Sequence, residues 1–421
     1  MSRLPILAAV LSASLVMLSG ALQRTPSGDL AAGQIAGTAW PYLPGSIVPV
    51  RVNGFSAPYD VAVVGPGTLL DGGFYSVPAQ GTPSTALLIA GNAHGLASRS
   101  LHLAPAPNPR DGIIAVASYD DGLVLHDLAD FSVLGLLGTG GTPSDAAATS
   151  DGRIAVTDTQ GTQVTLAAVD PWDVRHVGGV PFGDEIAADR TTGAIFVSNR
   201  DVDGVGALTR VSASGDVERV PTGQTAEGVA IDERRQVVYV ANVNDDTVAQ
   251  IDARSMRLMR KFHAVARVFS LALSSDGSRL YAVSNQSAGS PFAAPGSVVA
   301  LDLAHNPPRR VATSAPLTFP LGIVLDRARR ALYVTDESRD VVYVLDPTTL
   351  RAKHEPLPTC HTPWKPLLDP LGKRLYVPCA RDDRVDVFDT RTLTRAVGAP
   401  FVTGGYPLAV AIWHDRPAAK R

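Results

Sequence analysis

The chain has 421 residues, of which 45% are hydrophobic, 18% charged and 6% aromatic, and its formal net charge is −3. An apolar fraction at the globular average excludes a mostly disordered chain. The near-neutral balance, with no long basic run, argues against nucleic acid or anionic lipid as a partner. The 38 Gly and 32 Pro ask for many turns but lack the period of collagen.

Residues 1–21 read MSRLPILAAVLSASLVMLSGA. Arg3 precedes an apolar run, and Ser19-Gly20-Ala21 offers the small residues of a cleavage site, which is the pattern of a secretory signal peptide. The rival is an uncleaved anchor, but Ser12, Ser14 and Ser19 interrupt a run that is short for a membrane span. No other stretch is long and apolar enough to cross a bilayer. The expectation is an exported protein, periplasmic or secreted, with no membrane span after cleavage. Residues 22–34 are small and polar and read as a flexible segment.

Residues 35–105 hold short strand-like runs, among them SIVPVRVNGF, YDVAVVG, STALLIAG and SRSLHLAP, parted by Gly, Pro and Asn turns. They predict a small Ig-like β-sandwich, with a degenerate β-propeller blade as the alternative. Residues 106–110, rich in Pro, read as a stiff linker.

From residue 111 to 414 one pattern recurs: an apolar strand, a turn, a second strand ending in a polar residue, a loop, and a third strand ending in Asp. The clearest copies are GVAIDERRQVVYVANVNDDTVAQIDARSM (228–256), GIVLDRARRALYVTDESRDVVYVLDPTTL (322–350) and PLLDPLGKRLYVPCARDDRVDVFDTRTL (366–393). The third strand ends at Asp127, Asp170, Asp252, Asp302, Asp346 and Asp389, a period near 43 residues with one unit lacking its Asp and one inserted loop at Ser287–Gly296. Four short strands repeated at that period predict an all-β, seven-bladed β-propeller. Each blade is apolar on both faces, so a closed ring covers every face and leaves only short edges. The first unit lacks an inner strand, and YPLAVAIWH (406–414) is a strand with no partner after it. Residues 408–413 are therefore expected to complete the first blade and close the ring, leaving 415–421 as a tail.

VVYVAN, ALYVTD and RLYVPC, each followed by a loop and a strand ending in Asp, resemble the YVTN-type repeats of secreted bacterial propellers, the YncE-like group. The resemblance covers about 300 residues. It implies the fold and leaves the function open, because this fold hosts binding proteins, lyases and lactonases alike.

The polar residues closing the second strands are Ser118, Asp158, Asn199, Asn242, Asn285, Asp336 and Cys379. They form a ring on one face, either as ligand oxygens or as caps of the following turns. The residues just before the inner strands vary more: Asp145, Asp184, Glu185, Glu227, Ser270, Trp364 and Lys365. Asp145, Glu185 and Glu227, with Asn199 and Asn242 nearby, are candidates for ligand binding and for an oxygen cage around Ca²⁺. Glu227-Gly228 also resembles the metal-binding Glu of gluconolactonase-like propellers. Asp201-Val202-Asp203-Gly204 starts like a calcium loop but has no closing Glu. His361 and Trp364, in the irregular CHTPWK loop, are further ligand candidates. Cys360 and Cys379 fall in one unit, nineteen positions apart. In an exported chain they suggest a disulfide, with soft-metal ligation alongside His361, or two free thiols, as alternatives.

No HExxH, GxSxG, CxxCH or phosphate-loop motif occurs. The leading functional expectation is thus a non-catalytic binding or scaffold protein that recognises a protein, peptide or glycan through its channel-face loops. The alternative is a metal-dependent lactonase or lyase using the axial channel. DNA binding, which the YncE-like resemblance brings with it, is disfavoured by acidic loops at Asp120-Asp121, Asp245-Asp246 and Asp382-Asp383.

Overall fold

A computed structural model describes residues 31–32, 34–35, 40–53, 59–80, 83–92, 95–202, 204–286 and 294–414. The signal-like segment 1–21, most of 22–34, most of the inserted loop and the tail 415–421 lie outside the described residues. The described chain is nearly all β, and no helix in it is long and apolar enough to cross a membrane. It divides into two compact units.

One unit comprises the described residues up to Pro107 together with Gly135–Gly140. Its centre is the hairpin Ser84–Asn92 and Gly95–Leu103, flanked by Asp60–Val64 on one edge and by Ala31–Ala32, running parallel, on the other. A three-stranded sheet joins Ile47–Pro49, Phe74–Ser76 and Thr68–Leu70, and Gln34–Ile35 pairs with Val52–Asn53. The Gly135–Gly140 segment belongs here through its backbone. Leu43 N–H donates to Leu136 O at 2.8 Å, and Ile47 N–H donates to Gly138 O at 2.8 Å.

The second unit, Asn108–Leu134 and Gly141 onward, contains the repeats. Each repeat makes a four-stranded antiparallel sheet. The innermost strands are Pro143–Ala148, Gly183–Ala188, Ala226–Asp232, Val268–Leu273, Pro320–Asp326, Leu367–Leu368 and Pro407–His414. Each lies beside the next, and Pro407–His414 lies beside Pro143–Ala148, so the succession closes on itself.

The second strands explain why the sheets must stack. Val237–Asn242 and Ala331–Asp336 are buried along their whole length, the mark of a strand covered on both faces. Alternate residues point to opposite faces. Val238 and Val240 pack with Phe196 and Leu208 of the preceding sheet, while Tyr239 and Ala241 pack with Val268, Leu271 and Leu280 of the following one. Outer strands such as Arg257–His263 are largely exposed and carry the charges. The recurrent Asp ending the third strand is a turn former. Asp252 Oδ1 accepts the N–H groups of Arg254 and Ser255, and Asp346 and Asp389 repeat the pattern.

Pro407–His414 pairs antiparallel with Gly112–Ser118, from Gly112 opposite His414 to Ser118 opposite Pro407. This is the place assigned to it from sequence. Ile114, Val116, Val410 and Ile412 share a core with Tyr376, Val385 and Phe401 of the last repeat. Beside that core, His126 is fully buried between Thr403 Oγ1 and Phe131 O, each 3.0 Å from a ring nitrogen.

Two expectations concern this closure. Deleting residues 407–421 removes the closing strand, and thermal melting should lose its cooperative transition; an unchanged melt would refute the closure. Burial pushes the His126 imidazole down to about 4. The unfolded chain therefore takes up the proton first as pH falls. Stability should be full above about pH 6.5 and fall by about 3 kcal/mol between there and pH 4. Denaturant titrations across that window, with His126→Gln flattening the slope, check it.

Candidate functional site

The inner strands share a defect that builds the site. Most of them carry one extra residue near their start relative to their partner. The register slips between Pro143 and Ala146, Gly183 and Ile186, Ala226 and Val229, Val268 and Ser270, and Pro320 and Ile323. Such bulges re-aim side chains. The re-aimed residues Ser144, Asp145, Asp184, Glu185, Glu227 and Phe269 line one cavity of about 290 Å³. Leu408, skipped in the closing pair, lines it too, as do Trp364 and Lys365 ahead of their short inner strand. The strands must approach closely here, which explains Gly228: a Cβ on it would lie 2.5 Å from Phe269 O.

Hydroxyls hold these segments in place. Ser144 Oγ and Thr157 Oγ1 both donate to Asp184 O, at 2.8 and 2.7 Å. Glu185 N–H donates to Ser198 Oγ at 3.0 Å, and Thr335 Oγ1 donates to Trp364 O at 2.7 Å. The carboxylates also tie neighbouring inner strands together. Asp145 Oδ2 accepts Ile186 N–H at 2.8 Å, and Glu185 Oε2 accepts Val229 N–H at 3.3 Å.

Two cations stand among four carboxyl groups. Lys365 Nζ lies 2.5 Å from Asp145 Oδ2 and 3.2 Å from Glu185 Oε2. Arg200 Nε lies 3.0 Å from both Asp184 Oδ2 and Glu227 Oε1. Asp145, Asp184 and Glu227 are at most 5% exposed. Burial raises the Asp145 and Glu185 carboxyls, with Lys365 pulling the other way. Burial lowers the Lys365 ammonium, but its two carboxylates outweigh that and hold it above its ordinary value. Glu227 is pushed well above the usual carboxylate range, first by burial, then by the charge of Asp184 and a hydrogen bond to it. Arg200 opposes that rise without cancelling it. Two neighbouring carboxyl groups, one of them favoured in its protonated form, can place a proton donor beside a proton acceptor.

The rest of the wall is aromatic and polar. Phe269 and Trp364 meet edge to face at 6.5 Å, as do Tyr119 and Tyr406 at 6.1 Å. Gln160 Nε2 donates to Tyr119 Oη at 2.9 Å. The buried Trp364 indole N–H has no hydrogen-bond partner among the described residues.

Of the residues singled out from sequence, Asp145, Glu185, Glu227 and Trp364 line this cavity. Asn199 and Asn242 do not. Asn199 Nδ2 donates to Pro181 O at 2.7 Å and its Oδ1 accepts from Thr209 Oγ1, while Asn242 Nδ2 donates to Thr247 Oγ1. Asp158 and Asp336 likewise accept backbone N–H groups of adjoining loops. These polar residues are latches, and strand alternation sends the next residue into the cavity instead: Tyr119, Thr159 and Arg200. The five-residue Ca²⁺ cage is therefore not assembled. Its two Asn are elsewhere, and Lys365 sits between Asp145 and Glu185. Asp201–Gly204 lies partly outside the described residues.

His361 is 71% exposed and bonds Asp382 at 2.8 Å, away from the cavity. Cys360 and Cys379 form a disulfide with Cα atoms 5.5 Å apart. They group with Asp386 as the one metal-sized cluster among the described residues, but bonded sulfurs are not thiolate ligands.

No protein-family profile and no curated protein matches this sequence. Solved structures do. A functionally unknown protein from Desulfotomaculum acetoxidans aligns with TM-score 0.59 and 16% identity, over 73% of this chain and 100% of its own. The Pseudomonas aeruginosa periplasmic gluconolactonase gives TM-score 0.57 and 18% identity over 72% and 99%. A streptogramin B lyase gives 0.51 and 12% over 65% and 89%. At these identities the likeness shows the fold alone: a β-propeller.

Removing Lys365 leaves two buried carboxylates without their cation. Lys365→Met should cost about 3 kcal/mol in chemical denaturation. Adding Asp145→Asn and Glu185→Gln to that variant should recover much of the loss. A single variant as stable as the parent would show that the triad carries no such role.

Proposed function

We propose that this chain is an exported seven-bladed β-propeller, preceded by a small Ig-like sandwich, that opens a lactone ring by hydrolysis in its channel-face cavity. The observation that carries the reading is the buried Asp184–Glu227 pair, with Arg200 Nε 3.0 Å from a carboxyl oxygen of each, where burial and the Asp184 charge push the Glu227 carboxyl well above its ordinary value. Neighbours described as a periplasmic gluconolactonase and a streptogramin B lyase favour a catalyst over a scaffold. The first of them, with the signal-like residues 1–21, favours the periplasm.

In this reading Asp184 takes a proton from water as its oxygen bonds the lactone carbonyl carbon. The third N–H of Lys365 is a donor for the carbonyl oxygen as it gains charge. Glu227 protonates the ring oxygen as the C–O bond breaks. Asp184 then holds the proton and Glu227 has lost one. Transfer across their mutual hydrogen bond restores the pair, and the product leaves as a hydroxy acid. Arg200 keeps both carboxyl groups in register throughout. The chain's own ammonium and guanidinium supply the positive charge that a metal ion would otherwise bring, so Ca²⁺ is not required.

Purified protein should accelerate the hydrolysis of D-glucono-1,5-lactone or a related sugar lactone over the uncatalysed rate. Glu227→Gln and Asp184→Asn should each lower kcat/KM by about 100-fold or more, and unchanged rates would refute the assignment. The acid works only while protonated, so kcat/KM should fall as pH rises through the elevated Glu227 value, well above the ordinary carboxylate range. Dialysis against EDTA should leave the rate intact.

A further inference from the structure

The charge balance of the cavity bears on which lactones it accepts. Four carboxyl groups, Asp145, Asp184, Glu185 and Glu227, face two cations, Lys365 and Arg200, so the acids outnumber the cations two to one. Neither cation is free. Lys365 is shared by Asp145 and Glu185, and Arg200 is shared by Asp184 and Glu227. Among the described residues no other Lys, Arg or His lines this cavity. A phosphate or carboxylate on the substrate would enter a site with a net negative charge and no unpaired cation to meet it, where low surrounding polarity strengthens the repulsion.

The remaining wall suits an uncharged ring. The Phe269–Trp364 and Tyr119–Tyr406 pairs give flat apolar surfaces for the C–H face of a sugar. Gln160 and the hydroxyls of Tyr119 and Tyr406 offer hydrogen bonds to its hydroxyls. The volume of about 290 Å³ is at the small end for ligand pockets and suits a single ring.

We infer that the site takes uncharged or cationic monosaccharide lactones and rejects phosphorylated or otherwise anionic ones. This rests on the lactonase reading above and adds a specificity to it. The already paired Lys365 and Arg200 are what set that specificity. The same field disfavours return of the product once the hydroxy acid has given its carboxyl proton to solvent and become an anion.

The test separates binding from turnover. Calorimetry with D-glucono-1,5-lactam, a stable neutral ring, and with its 6-phosphate should show the neutral ring binding about 30-fold tighter or more at low salt. Glu185→Gln releases Lys365 from one carboxylate, and the preference for the neutral ring should shrink at least several-fold. In hydrolysis assays, glucono-1,5-lactone should outpace its 6-phosphate by a similar margin. Equal or tighter binding of the phosphate overturns the inference, as does binding of neither ring. Selective binding of the neutral lactam without any lactone turnover would uphold this charge selection and refute hydrolysis.

Discussion

The contact on which the site depends is the one Lys365 makes across the channel. Its ammonium comes from the last repeat, yet its partners, Asp145 and Glu185, belong to two early repeats. Those carboxylates in turn hold the backbone N–H groups of Ile186 and Val229 on the next inner strands. One cation therefore ties distant parts of the ring together through groups that are themselves strand staples. Without it, burying Asp145 and Glu185 would cost several kcal/mol of desolvation each. With it, the carboxylates stay within the wall of a small cavity, and the neighbouring Asp184–Glu227 pair is left to Arg200.

Building a site this way sets a stability cost against a chemical gain. A buried acid beside a carboxylate is disfavoured in a folded protein unless a cation and hydrogen bonds surround it. Arg200 supplies the cation, and the hydroxyls of Ser144 and Thr157 fix the backbone of Asp184. The bulges add to the same end. An extra residue near the start of an inner strand breaks the ladder locally, but it turns consecutive residues such as Asp184 and Glu185 toward the channel, where regular pleating would send one of them away.

The repeated sheets were legible because their signal is periodic and redundant. A strand such as VVYVAN is apolar on both faces for a reason that applies to every blade, so several copies vote together. The closing strand was legible because 406–414 had no partner in its own repeat. The site was only half legible. Asp145, Glu185 and Glu227 stood out as acids at strand starts, where a repeat departs from its own consensus. Asn199 and Asn242 misled, because a polar residue at a strand end serves a turn as readily as a ligand. The informative position was one residue further on. At that position Tyr119, Thr159 and Arg200 vary between repeats while the latch before them keeps its polar character. The partnership of Lys365 with Asp145 joins positions 220 apart and leaves no local trace.

The strand that closes the ring also sets a schedule. Ile114 pairs with Ile412, a contact about 300 positions apart in the chain and among the last of the ring to be synthesised. Long-range strand pairing is slow to form, and domains grow from the N-terminal side as the chain emerges. Until Pro407–His414 arrives, the first sheet keeps an open edge and the apolar core around Ile114 and Val116 has no cover. The Lys365 bridge cannot hold its full geometry before the ring closes around it. A chain of this design stays unfinished through most of its synthesis, acquiring its channel-face cavity in the same step that completes its fold.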